Sequence, residues 1–326
     1  MNLMCNKRYW TLAAVAAAGL AMGSTQAAAD EAAAGSQPTR VTKQDSGKIV
    51  YWVLPGPRKL SKKVFGTPEH PMATGMKQMQ MAEKMVAAKK MPPAVLDTLK
   101  KLPILVGVPM MARSLDANGD WWFKKPSLFS DKARIVQGDF EAKFWDVVKK
   151  DPPGPPMKTA DHASLSAHFT DPMGNKYRVE LMHVVKPPFP GYETDGGVMI
   201  DGIHHGSTGT GSPLMPAVHT KAAFWGVGNV FINGKMADSM RVVHLMTTEV
   251  VRDKDYKLAL DENLPLSDAQ RHVKGQATHT HLVVLPIEVI KGVGPTFKPL
   301  KTAFKLPNGM FQPFIHVMYE QDQVVL

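Results

Sequence analysis

The sequence predicts a mainly β protein, an antiparallel β-sandwich or barrel-like domain with a short helical N-terminal region. Runs that alternate apolar and polar residues, as in 163–185, are typical of strands buried on one face. Asn233-Gly234 stands between two β-prone runs and favours a type I′ hairpin turn. The 26 glycines and 26 prolines divide the chain into short segments, with few helical patterns late in it, as in all-β domains.

The first 29 residues predict a secretory signal peptide. Lys7 and Arg8 precede an apolar run at 10–23, and small residues follow, including Ala27-Ala28-Ala29. An uncleaved N-terminal anchor is the alternative, because the run lies at the lower limit of transmembrane length. Residues 30–46 are small and polar and predict a flexible leader. We therefore expect a soluble mature protein in the periplasm or outside the cell, not a transmembrane protein.

Cysteine usage restricts the possible chemistry. The single cysteine of the chain, Cys5, lies inside the predicted signal peptide. The mature chain would then have no disulfide, no thiolate metal site and no c-type haem attachment motif. Any metal ion would have to be held by His, Met, Asp or Glu.

Positive charge is concentrated in the first half of the chain. Residues 40–150 carry 21 Lys or Arg against 10 Asp or Glu, whereas residues 151–326 carry 16 against 17. A basic exported segment can contact an anionic envelope surface or an acidic protein partner, although a solvated basic surface explains the same composition. The lysines are dispersed and no nucleic-acid motif accompanies them, so no nucleic-acid partner is expected.

Residues 47–150 predict a basic region of mixed helix and strand. A short strand is expected at 48–57, a helix at 72–90 that ends before Pro92-Pro93, and a second short helix at 94–102. Methionines occupy two faces of the longer helix, with Met72, Met76 and Met79 on one and Met81 and Met85 on the other. Such a methionine-rich helix can offer thioethers to Cu(I) or simply fill an apolar core.

The run DPPGPP at 151–156 predicts a domain boundary, and residues 157–326 predict a β-sandwich-like domain with a histidine-rich site. Residues i and i+2 of a strand project from one face. His279 and His281 therefore share a face, as do His244 and Met246. The full set of predicted metal ligands is His279, His281, His244, His204, His205, His316, Met246 and Met318.

These residue types indicate which metal to expect. Imidazole with thioether suits copper, imidazole with carboxylate suits iron or zinc, and the absence of cysteine excludes a blue-copper site. Copper or iron is thus expected more than zinc. The motif H-x-H is weak by itself, and the alternative is that these histidines lie in buried strands and bond to backbone groups.

The function predicted from these observations is that of an exported, soluble transition-metal-binding protein for copper or iron handling. A metal-free periplasmic binding or scaffold module, contacting glycan, lipid or a partner protein, is one alternative. A small metal-dependent enzyme is another. No catalytic residue stands out, since the G-x-S-x-G elbow is absent and the Gly/Ser/Thr-rich stretch 206–213 lacks the ending of a P-loop.

Overall fold

The computed structural model describes residues 36–74, 76–101, 108–148, 157–186, 197–208 and 211–325. Pro38–Leu326 cluster as one compact unit. The predicted signal peptide, residues 30–35 of the predicted leader and the predicted boundary at 151–156 lie outside the described residues.

The described chain is mainly antiparallel β-structure with a few short helices near its N-terminal side, which confirms the predicted fold class. In chain order its strands and helices are β1 (Arg40–Val53), β2 (Gly56–Lys59), α1 (Lys62–Phe65), α2 (Met76–Ala87), α3 (Pro93–Lys101), β3 (Arg113–Leu115), β4 (Trp121–Ser127), β5 (Ala133–Trp145), β6 (His162–Thr170), β7 (Lys176–Val184), β8 (Val198–His204), β9 (Val218–Ile232), β10 (Lys235–Glu249), β11 (Thr278–Ile290), β12 (Gly294–Phe297), β13 (Ile315–Tyr319) and β14 (Gln323–Val324).

Eight strands close into an antiparallel barrel. The order around it is β10, β11, β13, β1, β5, β6, β7 and β9, and β9 pairs back with β10. Strands β8, β12 and β14 pair with members of this ring, while β2, β4 and β3 form a separate small sheet. Closing the ring gives hydrogen-bond partners to backbone groups that would be unpaired at the edges of an open sheet.

The predicted division at 151–156 does not separate two sheets. Strand β5, which precedes it, pairs with β6, which follows it, from Gly138↔Phe169 to Trp145↔His162. Strand β1 likewise pairs with β13 near the end of the chain. Residues 47–150 and 157–326 therefore contribute to the same barrel.

Residues 40–46, expected within the flexible leader, form the first half of β1. Thr42 and Gln44 are buried although they are polar. The Gln44 side chain donates to the Ile49 carbonyl at 3.1 Å and accepts from the Gln321 backbone N–H at 2.8 Å. Composition alone therefore did not predict this strand, in which a buried polar side chain such as that of Gln44 is bonded internally.

The two helices expected in the basic region are present as α2 and α3. Met79 and Met85 of α2 pack against the adjacent apolar core, whereas Met81 is 51% exposed and Met72, before the helix, is 49% exposed. The methionines thus serve partly as core filler and partly as surface. Among the described residues, no helix is both long enough and apolar enough to cross a bilayer.

The hairpin predicted at Asn233-Gly234 joins β9 to β10. Both residues adopt positive φ, 50° at Asn233 and 80° at Gly234, as a type I′ turn requires. This turn sets the long antiparallel pairing that closes the barrel, with His244 opposite Trp225 and Met246 opposite Ala223.

The interior of the barrel is a packed apolar core. Many of its large side chains are aromatic, and those at most 3% exposed are Trp52, Phe140, Phe144, Phe169, Tyr177, Phe224 and Tyr319. The Trp52 indole N–H, the polar atom of that ring, donates to the Gln312 side chain at 3.2 Å. Because the interior is closely packed with these side chains, the predicted histidine site lies on the outer face of the barrel wall.

Alternation along β10, β11 and β13 places the histidines on the outside of the barrel. Leu245, Leu282 and Val317 point into the apolar core, so their neighbours in sequence point outward. The outward side chains are nevertheless buried, because chain segments 127–131 and 250–272 lie over this part of the wall. Phe129 packs edge-on against His316, with ring centroids 5.2 Å apart.

Candidate metal site

A row of buried titratable side chains runs across β11 and β13. His279 and His281 come from β11, and His316 and Glu320 come from β13 and the residue just beyond it. The strand register sets Val283 opposite His316 and His281 opposite Met318. His281 is 4% exposed and the other three are fully buried.

The four side chains are linked by a continuous line of polar contacts. Glu320 carboxylate oxygens lie 3.3 and 3.4 Å from His279 Nδ1. His279 Nε2 lies 2.9 Å from His281 Nε2, and His281 Nδ1 lies 3.0 Å from His316 Nε2. His316 Nδ1 ends the line 2.7 Å from the Leu128 carbonyl oxygen.

The two ends of the line determine where the protons sit. A carbonyl oxygen only accepts, so His316 Nδ1–H donates to Leu128 and the neutral ring keeps a lone pair on Nε2. That lone pair accepts from His281 Nδ1–H. At the other end, the Glu320 carboxylate accepts from His279 Nδ1–H. The partners of each ring nitrogen thus define its tautomer.

This assignment leaves two imidazole lone pairs facing each other, on His279 Nε2 and His281 Nε2 at 2.9 Å. The Val251 backbone N–H points at the same His279 nitrogen from 3.4 Å, as expected for an acceptor. Two lone pairs at this distance repel unless a cation binds to them. Either a proton shared on the line between the two nitrogens or a metal ion beside that line can remove the repulsion.

The pair fits a metal ion held from one side. The two nitrogens are 2.9 Å apart, so an ion about 2.0 Å from each makes an N–metal–N angle of about 90°. This angle is typical of tetragonal coordination and is smaller than the tetrahedral angle. In the described part of the chain, no group of three or more His, Asp or Glu side chains is arranged to hold a metal ion. The geometry thus offers two imidazole ligands, and further donors would have to be of another type.

Two thioethers flank the imidazole pair. Met246 on β10 and Met318 on β13 are the direct cross-strand neighbours of His281. Both are buried. The Tyr256 hydroxyl donates to Met318 Sδ at 3.4 Å. The strand register therefore places a soft donor on each side of His281, Met246 on one strand and Met318 on the other.

His205 contacts this group from the loop after β8. Its Nε2 lies 3.0 Å from Met246 Sδ, and its Nδ1 accepts the Ser212 backbone N–H at 3.0 Å. Because Nδ1 accepts, the neutral ring carries its proton on Nε2 and directs it at the sulfur. In this tautomer Nε2 has no lone pair to give, so His205 supports Met246 instead of acting as a ligand.

The remaining predicted residues form a second group beside the row. His244 Nδ1 donates to the Phe224 carbonyl at 2.8 Å, and its ring stacks on Trp225 with centroids 4.1 Å apart. The His205 ring lies 6.5 Å from that of His244 and 5.6 Å from that of His204. The structure thus unites His279, His281 and His316 in direct contact and places His204 and His244 around His205.

The covering segment adds a buried positive charge near the row, at a residue that no motif in the sequence indicated. Arg252 is fully buried, pairs with Asp131 at 3.0 Å and lies over the Tyr256 ring. Burial lowers the pKa of the His281 imidazole and, with the Arg252 charge, lowers that of His316 to about 3. Both rings are therefore neutral, and able to accept or bind a cation, at neutral pH.

These low pKa values predict that the metal-free protein loses stability in acid. Above about pH 6.5 the rings are neutral in both the folded and the unfolded chain. Below that pH the unfolded chain binds protons, whereas His316 in the folded chain stays neutral down to about pH 3. We expect the free energy of unfolding to fall with decreasing pH in this window, by up to about 1.4 kcal/mol per pH unit for each such histidine.

Urea unfolding of the metal-free protein at several pH values measures this slope. His316→Asn should flatten it, because asparagine takes up no proton in either state. A wild-type stability that rises as the pH falls from 6.5 would contradict the assignment of neutral buried rings.

The fold and this row of residues define a closed β-barrel protein with a buried imidazole and thioether cluster on its outer wall. No protein-family model, no curated protein and no solved structure matches the chain significantly.

Proposed function

We propose that this chain is an exported copper-binding protein in which His279 and His281 hold the ion through their Nε2 atoms. The observation that carries the proposal is the 2.9 Å approach of His279 Nε2 to His281 Nε2, because the partners at the two ends of the row, Glu320 and Leu128, favour tautomers with a lone pair on each of these nitrogens. A metal ion bound by both lone pairs removes their repulsion, as a shared proton otherwise would.

The neighbours of the pair support metal binding. Metal-ligating histidines usually donate their second ring N–H to a carboxylate or another acceptor, which fixes the ring and raises its basicity. His279 Nδ1 does this towards Glu320, and His281 Nδ1 does it towards His316 Nε2. Both imidazoles thus have the supporting partners that a ligand needs.

Copper is favoured by the types of donor and by their angle. Imidazole binds copper, iron and zinc, but thioether selects copper, and Met246 and Met318 adjoin His281 on both sides. The angle of about 90° estimated for the nitrogen pair suits tetragonal Cu(II) better than tetrahedral zinc, whereas the thioethers suit Cu(I), so the two features favour copper in different oxidation states. Iron handling is the second candidate, supported by the nearby Glu320 carboxylate.

Binding is favoured over catalysis because the ligands are buried. His279 and Glu320 have no exposed surface and His281 is 4% exposed. A buried site suits retention and delivery of an ion better than turnover of a large substrate. The N-terminal features at Lys7, Arg8 and Ala27–Ala29 support export, so we place this role in the periplasm or outside the cell.

Metal titration of the purified, metal-free mature chain tests the proposal. We expect one copper ion per chain, bound more tightly than zinc or iron(II), with protons released on binding and weaker affinity at lower pH. Metal content is measured by mass spectrometry of the eluted protein, and proton release by calorimetry in buffers of different ionisation enthalpy. Absence of saturable binding for all three metals would refute it.

A further inference from the structure

A small cavity lies against the imidazole row, between the barrel wall and its cover. It has a volume of about 40 Å³. Its walls include the rings of His281, His244, His205, Trp225 and Phe129 and the thioether of Met246. A cavity needs about 10–15 Å³ to admit one water molecule, so this one has room for more than a single water.

The wall of the cavity provides few hydrogen-bond partners for a water molecule. His205 already uses Nδ1 with Ser212 and Nε2 with Met246, and the Thr248 hydroxyl donates to the Glu249 carbonyl at 2.8 Å. The rest of the lining is largely aliphatic and aromatic. A buried water needs two to four polar partners, whereas apolar cavities stay dry and accept xenon or similar molecules.

We propose that this cavity binds a small apolar molecule of the size and polarity of dioxygen. Since His281 is both a wall of the cavity and a proposed copper ligand, such a molecule would lie next to the ion. That position rests on the proposed function, but occupancy of the cavity does not, because shape and apolar lining are enough to bind the molecule without a metal.

Xenon is the probe for this inference. Crystals of the metal-free and the copper-loaded protein are pressurised with xenon, and diffraction locates the bound atoms. We expect a xenon atom bounded by Trp225, Met246 and His281 in both forms. Ordered water in the cavity, or wild-type crystals in which xenon does not enter it, would overturn the proposal.

A filling variant and its control extend the test. Val218 lines the cavity, so Val218→Phe should abolish xenon binding there. Val250→Phe makes the same enlargement in a separate apolar cluster with Ala259 and Leu266 and should retain it. Xenon retained in the same position of Val218→Phe would contradict the assignment of this cavity.

Methyl NMR of the wild type in solution provides a measurement that needs neither crystals nor stable variants. Dissolved xenon should shift the Met246 methyl signal and leave that of Met310, which is 67% exposed, unchanged. Equal response of the two methyls would count against the cavity. If xenon binds but copper does not, only the proposed function fails; if copper binds and xenon does not, only this inference fails.

Discussion

His279→Ala and His281→Ala should each lower copper affinity by more than about 100-fold, the largest functional effects we expect. Each substitution removes one of two ligands and leaves the facing nitrogen without its partner at 2.9 Å. His316→Ala and Glu320→Gln remove only supporting partners and should cost about 10- to 100-fold, the range typical of such groups. Competition titration against a copper chelator of known affinity measures all four.

His244→Ala is the matched control for this series. His244 is also a buried histidine, lies on the neighbouring strand β10 and lines the same cavity as His281, but its Nδ1 donates to Phe224 and it is outside the row. We expect its copper affinity to stay within a fewfold of the wild type. Loss of copper in His244→Ala with retention in His281→Ala would assign the ion to the second histidine group.

Trp52→Ala should give the largest loss of stability, about 3–5 kcal/mol, because it empties a fully buried position in the barrel core. The ring packs against Phe169, Tyr177 and Phe304, and its N–H is bonded to Gln312. Removing it leaves both a cavity and a Gln312 Oε1 without its donor, although the Gln312 NH2 group keeps its bonds to backbone carbonyls. Urea unfolding of the metal-free protein measures the loss.

The same variant tests which face of the wall carries the metal. Trp52 points inward, whereas its neighbour Tyr51 points outward and stacks on Tyr256 at 4.5 Å. At a temperature where it remains folded, Trp52→Ala should therefore bind copper with wild-type stoichiometry. Tyr51→Ala should cost less stability, since its ring is only partly buried. A loss below about 1 kcal/mol for Trp52→Ala would show that the barrel core is not packed as described.

Local periodicity predicted much of the fold and the shared face of the two histidines at the middle of the row. The alternation of side chains along a strand was enough to place His279 and His281 on one face, and the Asn233-Gly234 turn was enough to join β9 to β10. Periodicity does not specify which strands pair at a distance. It therefore did not distinguish a β-sandwich from a β-barrel. The pairing of β9 with β10 and of β1 with β13 shows that the strands form a barrel.

The cover of the site was beyond prediction from the sequence. The segment 250–272 has no strand or helix periodicity, and it is held in part by the Arg252–Asp131 pair, which joins residues 121 apart in the chain. Whether His316 meets His281 depends on the register between β11 and β13 and on Leu128 accepting its proton. Such contacts between residues far apart in the chain cannot be predicted from local composition.

Anomalous diffraction at the copper absorption edge, from crystals of the copper-loaded protein, tests the central claim most directly. We expect one strong peak about 2.0 Å from both His279 Nε2 and His281 Nε2, with Glu320 and His316 still bonded to the far sides of the two rings. A peak elsewhere, or no copper bound to either of these two nitrogens, would contradict it.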